Sequence, residues 1–416
     1  MSANLPNQLD VEFVRRCFPT FEEPLAARTA FFENAGGSYV AGAVLDRLIH
    51  FYRVNKVQPY GASDILRQAG DQMDAGRQTM ADLLGVESNT LTLGASTTQN
   101  FNTLAHACEK MLNKTAQVIV TEQDHEANIG AWERLCQRTG ATLKVWPVNP
   151  VSGELEIDTF KALLCPATKL VCLTHSSNII GTINPVEEVI AVARPNGTRV
   201  IVDGVSFAPH RWPNIAELAP DAYCFSTYKT YATHLGVMYT SSEFAESLDP
   251  QCHYFNREYK QKRLDTAGPD HASIAALAGL GDYFDQSYQH HFGNTDGSLH
   301  EKAQKISSLM HLHESELCAQ LLEGLQPLPI KILGRSTTEG REANVALTSS
   351  KHSSQALSQA LAKNDIAAGH GHFYALRLLE KTGITDTEDG VLRISFSHYN
   401  NSDDVARVVS TLSSIH

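Results

Sequence analysis

Residues 199–240 read RVIVDGVSFAPHRWPNIAELAPDAYCFSTYKTYATHLGVMYT. Three short runs inside this stretch, Arg199–Val202, Ala222–Phe225 and Gly236–Thr240, are rich in residues that favour strands. They are continuous rather than alternating, so both of their faces are expected to be covered. Toward the N-terminus the same rhythm recurs at Val118–Thr121, Thr142–Trp146 and Leu170–Thr174. Helical stretches separate these runs over Ala127–Thr139, near Ile157–Leu164 and after Pro185. The alternation predicts an α/β fold whose mostly parallel sheet is sandwiched by helices. Toward the C-terminus the pattern changes. A polar helix is expected from Ser298 to about Gln326. Strands are expected at Ile330–Leu333, Asn344–Leu347 and Val391–Ser395, with helices near Ser354–Lys363 and Asp403–Leu412. This reads as a smaller α+β domain. The Gly/Asn/Asp cluster at Gly293–Gly297 marks the boundary. We therefore expect a large domain over 21–295, a small one over 296–416, and residues 1–20 packed on the latter.

Composition narrows the function. The chain has 416 residues, 42% of them hydrophobic and 19% charged, which is globular composition. Its net charge of −12 argues against a nucleic-acid or anionic-membrane partner. The eight cysteines form no CxxC pair, so neither a zinc ribbon nor a disulfide scaffold is expected. The N-terminus lacks the apolar core of a signal peptide. The apolar stretch near Ala272–Gly281 is too short to span a bilayer, which takes about 20 residues. A cytoplasmic protein is the expectation.

In a sheet of this kind ligands bind beyond the carboxyl ends of the strands. Asp203 leaves the apolar run VIVDG, where a carboxylate is costly without a cationic partner. The alternative is an aspartate that caps the next helix. A magnesium-holding role would need a GxxxxGK[ST] loop, and the chain has none. Ser226, Tyr228 and Lys229 follow AYCF. A desolvated lysine there is a nucleophile toward carbonyls, and the alternative is a lysine whose head snorkels to water. In GASTTQN, at 94–100, hydroxyls at a helix start either cradle a phosphate or simply cap the helix. His125, in DHEAN, can stack on a flat ring, and Asn178, in THSSN, can donate to a phenolic oxygen. Each signal is weak alone. Together, in this order on successive strand ends, they form the set that a pyridoxal phosphate site needs.

These segments resemble the class V aminotransferase family, in its cysteine desulfurase-like branch. The likeness runs from about Phe31 to Leu412 through FFENAGGSYVAGAV, GASTTQNFNTLA, EQDHEANIGAWERL, THSSNIIGTINPVEEV, VIVDGVSFAPH, FSTYKTYATHLGVMYT and VLRISFSHYNNSDDVARVV. It implies a fold type I pyridoxal phosphate-dependent enzyme and a homodimer with shared active sites. It makes Lys229 the Schiff-base lysine and proton shuttle, Asp203 the partner of the ring nitrogen, and His125 the ring's stacking plate. Asn178 would contact the ring oxygen. Thr97, Thr98 and Ser226 would hold the phosphate, with Tyr228 and Ser206 beside the cofactor. Arg393 would take the substrate α-carboxylate, with Asn34 and Ala35 on the substrate side. Arg is suited to that bidentate grip.

The chain departs from the branch in several places. Desulfurases carry a catalytic cysteine on a loop before the final strand. This chain reads GHGHFYALR there, with Tyr374 at that place and no cysteine after Cys318. Ser206 stands where many desulfurases have glutamine, and Tyr228 where many relatives have histidine. Gly268, in DTAGPD, stands where relatives place a phosphate-binding threonine from the partner subunit, a grip that Thr266 could supply instead. The expected activity is Cα chemistry on a small α-amino acid through a Schiff base and a Cα carbanion. Elimination or desulfuration-like chemistry, transamination, and a binding protein that kept the fold without catalysis stay open. No metal is expected. His370 and His372 would need further ligands. The pairs His290–His291 and His311/His313 read as solvated helix positions, and Trp132 as core.

Overall fold

The computed structural model describes residues 8–416. Its first body is a seven-stranded sheet with helices on both faces. The chain enters through α1 (Val11–Arg16), α2 (Gly42–Val54) and α3 (Asp64–Leu84). It then alternates β1 (Leu91–Gly94), α4 (Thr97–Ala107), β2 (Gln117–Thr121), α5 (Glu126–Thr139), β3 (Thr142–Trp146), α6 (Ile157–Leu163), β4 (Thr168–Thr174) and α7 (Val186–Ala193). Strands β5 (Arg199–Asp203), β6 (Ala222–Ser226) and β7 (Gly236–Thr240) complete the sheet in the order β1-β7-β6-β5-β4-β2-β3. Strands β2 to β6 run parallel, and β7 is antiparallel to both β1 and β6.

The apolar runs are continuous because successive residues feed two different cores. Val118, Val120, Leu170, Cys172 and Ile201 pack with α4 and α5 on one face. Ile119, Val171, Leu173, Val200 and Val202 pack on the other, with residues of α2 and α3. The Trp132 ring is fully buried in the first of these cores, as expected.

Helix α8 (Ala278–Phe292) ends at Gly293, and α9 (Leu299–Leu325) starts from a capping box of Ser298 with Glu301. Beyond it lie β8 (Ile330–Leu333), β9 (Asn344–Ser349), α10 (Ser354–Ala362), β10 (Gly369–Gly371), β11 (Val391–Ser395) and α11 (Ser402–Ile415). The four strands form an antiparallel sheet in the order β10-β11-β9-β8. Ala30–Phe31 pairs in parallel with Ile366–Ala367 at its side, and Phe32 enters the small body's core. The chain between α1 and α2 therefore sits against the C-terminal body, and this carries residues 33–35 to the site.

Residues 1–7 of the expected N-terminal packing segment lie outside the described residues. In α1, Arg15 donates through Nε to the Tyr399 carbonyl (2.9 Å) and through Nη2 to Asp404 (3.1 Å). Asp10 accepts from His290 (2.8 Å), and its N–H donates to His291 (2.9 Å). The His290 ring stacks on Phe13 at 3.9 Å. His291 is half-buried, against the reading of this pair as solvated, while His290 stays exposed. His311 accepts from Arg211 (2.6 Å), and His313 bonds the Asn400 carbonyl (2.8 Å). His311 and His313 are likewise half-buried against neighbouring elements rather than solvated.

Candidate active site

The site lies at the carboxyl ends of β2, β4, β5 and β6, as the sheet topology requires. A cleft opens there. Thr97, Thr98, His125, Asn178, Asp203, Ser206, Ser226, Tyr228 and Lys229 all line it. Asn34 and Ala35 line a smaller adjoining cavity that shares Lys229 and Ser206. Arg393 lines neither cavity. It lies buried in the middle of β11, 3% exposed, and bonds the Asn178 carbonyl (3.2 Å).

Each side chain owes its position to local structure. Ser96 caps α4 by accepting from the Gln99 N–H (3.1 Å), and Thr97 opens that helix. The Thr97 and Ser226 hydroxyls are 2.7 Å apart, joining the helix start to the end of β6. Gly236 of β7 runs flush beneath them. A Cβ there would lie 2.4–2.6 Å from the Ser96 and Thr97 backbone. His125 caps α5, its Nδ1 accepting from the Ala127 N–H (3.0 Å). Burial first, then Lys229 and Arg393, lower its ring to about 4, so the imidazole is neutral and flat.

The Asp203 carboxylate is 4% exposed and accepts from the Val205 N–H (2.9 Å). Burial pushes it up to about 6, opposed by that N–H and by Lys229. Lys229 is 9% exposed. Burial and then Arg393 lower its ammonium to about 8, while Asp203 and Glu33 oppose the shift. At pH 7 roughly a tenth of the amine is then unprotonated, against fewer than about one in a thousand for an ordinary lysine. Covalent capture of Lys229 by a small aldehyde in cofactor-free protein should rise about tenfold per pH unit below 8 and level off above it. A rate still climbing steeply at pH 10, followed by borohydride trapping and peptide mass, would contradict this burial.

Some placements differ from the sequence reading. The Asn34 amide is already engaged within the protein. Its Nδ2 donates to the Phe31 and Ser395 carbonyls (3.1 and 2.9 Å), and its Oδ1 accepts from the Tyr399 hydroxyl. The Ala35 N–H donates to Ser395 Oγ (2.9 Å). Neither of these donors is free for a substrate. Asn178 donates to the Phe373 carbonyl (2.8 Å), so it also fixes the loop that carries Tyr374. Phe373 and Tyr374 both adopt positive φ, 45° and 60°, which side chains other than glycine rarely adopt. The Tyr374 ring lies 5.1 Å from His125.

Two carboxylates were missed. Asp124 is buried beside His125, accepts from Asn128 (2.6 Å) and is pushed up to about 7 by burial. Glu33 bonds Arg393. A polar residue inside the run FFEN was the available signal for Glu33. Asp124 had none beyond its place next to His125.

The residues present fit pyridoxal phosphate. The helix start, its hydroxyls and the close-lying β7 backbone make an anion cradle. Asp203 is a buried acid in want of a cation, His125 is a neutral plate, and Lys229 is a partly deprotonated amine.

Comparison with known proteins agrees. The family model described as aminotransferase class-V matches residues 30–275 and 285–408. An aminotransferase-like protein, FGM3, of Gibberella zeae is 31% identical over 98% of both chains. A cysteine desulfurase of Cronobacter sakazakii is 28% identical over 97% of both. A solved cysteine desulfurase, CsdA, of Escherichia coli superposes with a TM-score of 0.83 at 21% identity, covering 98% of both chains.

Proposed function

This chain belongs to the aminotransferase class-V family, and on that premise we propose that it carries out Cα chemistry on a small α-amino acid without a cysteinyl persulfide. It is a pyridoxal phosphate-dependent enzyme. The cofactor supplies an aldehyde for an amine to condense with and a ring that draws electrons from a bond at Cα. Lys229 would hold the aldehyde, and Asp203 the ring nitrogen. Thr97, Thr98 and Ser226 would hold the phosphate, and the neutral His125 face would cover the ring. Lys229, with an amine lowered to about 8, is matched to taking a proton from Cα and returning it. Arg393 would orient the substrate through its carboxylate. Tyr228 and Ser206 close the walls of the cleft. The intact Lys229–Asp203–His125 set favours a catalyst over a binding protein that merely keeps the fold.

One observation carries the thiol-free part of this reading: no cysteine lines the cleft or the cavity behind Lys229. Tyr374 holds the loop position where desulfurases place their nucleophile. The reading therefore favours elimination or transamination over sulfur transfer through the protein. Treatment with iodoacetamide reaches the half-exposed Cys17, Cys165 and Cys252 first. It should leave product formation from a panel of amino acids, scored for sulfide, alanine, pyruvate and keto acid, within about twofold of the untreated rate. A tenfold loss on alkylation, matched by an equal loss on replacing one of those cysteines with serine, would overturn the thiol-free reading.

We also assign a homodimer. Tyr254, Phe255 and Tyr259 are exposed near the loop that carries Thr266 and Gly268, and large exposed aromatics in one neighbourhood mark an interaction face. Among the described residues no helix is long and apolar enough to cross a membrane. All eight cysteines are unpaired, which supports a reducing, cytoplasmic setting.

A further inference from the structure

The surroundings of Arg393 hold a feature that the family reading does not use. The guanidinium face lies 3.7 Å from the centre of the Phe373 ring. Nη1 donates to the Asn178 carbonyl (3.2 Å), and Nη2 donates to a Glu33 oxygen (2.5 Å). Nε is buried and has no partner. Nε and Nη2 point along one edge of the planar group, and a carboxylate takes both donors of such an edge when it binds side-on. The edge open to an incoming carboxylate is thus half occupied by a carboxylate of the protein itself.

Glu33 is held there from its other end. Its second oxygen accepts from the Gly369 N–H (2.7 Å). Gly369 faces Arg393 across the β10–β11 pairing, and a Cβ at Gly369 would lie 2.5 Å from that same oxygen. The small-body sheet therefore leaves room for the Glu33 carboxylate beside the arginine. Glu33 also remains accessible: its side chain is 29% exposed where that of Arg393 is 3%. A charge that reaches solvent can leave; the arginine cannot.

We propose that Glu33 is a built-in stand-in for the substrate carboxylate. It keeps Arg393 paired and oriented before an amino acid arrives, and it must release Nη2 when one binds. The exchange replaces one charge-assisted bond by two at the same edge, so binding proceeds, but with an affinity reduced by the bond given up. Glu33 then has a second consequence. Once displaced, its carboxylate stays beside the substrate, and a like charge on the substrate side chain is disfavoured. Glu33 is in this sense a specificity-determining residue that selects neutral over acidic amino acids.

The inference rests on Arg393 as the carboxylate anchor, so the test separates the two. The probe is 2-aminoisobutyrate, which has no Cα hydrogen to lose, titrated into cofactor-loaded enzyme and followed by calorimetry. Arg393→Lys should weaken its binding at least tenfold; unchanged binding there rejects the anchor itself. Glu33→Gln should bind the probe about tenfold more tightly than the parent, and the preference for alanine over aspartate should narrow by a similar factor. Glu33→Asp is too short to span Arg393 and Gly369, so it should fall between the two, and it carries the test if Glu33→Gln does not fold. Weakened Arg393→Lys binding together with equal or weaker probe binding in a folded Glu33 variant overturns the stand-in and leaves the anchor standing.

Discussion

Lys229→Ala is expected to lose covalent cofactor attachment altogether and to slow α-proton exchange by about 10²–10⁴-fold, the usual worth of a positioned proton-transfer group. The geometry gives the reason. Lys229 is the buried amine shared by the main cleft and the cavity that holds Asn34 and Ala35. It follows β6 on a short turn whose Ser226 neighbour is tied to Thr97, so its place is fixed from two strands away. Removing the side chain leaves the cradle, the His125 plate and Asp203 in place, and the cofactor should still bind without a bond to the protein. Borohydride reduction with peptide mass analysis checks the attachment, and exchange in heavy water checks the rate. A borohydride label on a different lysine would reject the assignment. So would exchange within tenfold of the parent.

How far the sequence predicts this site depends on the kind of residue. The parallel strands were legible because burial on both faces forces continuous apolar runs, and the polar residues that end such runs must then have a task. Asp203, Lys229 and His125 stand out for that reason. Strand β1, at Leu91–Gly94, was not anticipated. It is an edge strand with a half-buried alternation, and it pairs antiparallel with β7 just before the phosphate cradle. Nothing local distinguishes β7, antiparallel, from its parallel neighbours, because direction is set by the connection and not by composition. The Glu33–Arg393 pair spans 360 positions of the chain. The pairing of Ala30–Phe31 with Ile366–Ala367 and the bridge between Glu33 and Ser395 bring those residues together. The saturation of the Asn34 amide was hidden for the same reason, since its partners Ser395 and Tyr399 lie at the far end of the sequence.

Asp203→Asn should separate stability from function. With the cofactor bound, the amide cannot keep the ring nitrogen protonated, and turnover should fall by about 10²–10³-fold, the scale of losing one preorganised electrostatic partner. The cofactor-free protein should respond in the opposite sense. Burial holds the Asp203 carboxyl at about 6, above its ordinary value of 3.8. Between those two pH values the folded chain keeps a proton that the unfolded chain has released, so stability falls as pH rises through that window and stays lowered above it. The cost at pH 8 is at most about 3 kcal/mol by the conversion of 1.36 kcal/mol per pH unit. Asparagine carries no such cost and can still accept from the Val205 N–H. Cofactor-free Asp203→Asn protein should therefore resist urea better than the parent at pH 8, with the advantage shrinking to nothing toward pH 4. Both halves follow from one fact: a carboxylate is kept in the dry floor of this cleft with a single backbone donor for company, a placement that costs stability until a cation is bound against it. A variant less stable than the parent at pH 8, or one that turns over at nearly the parental rate, would show that Asp203 is a structural cap and not the partner of the ring.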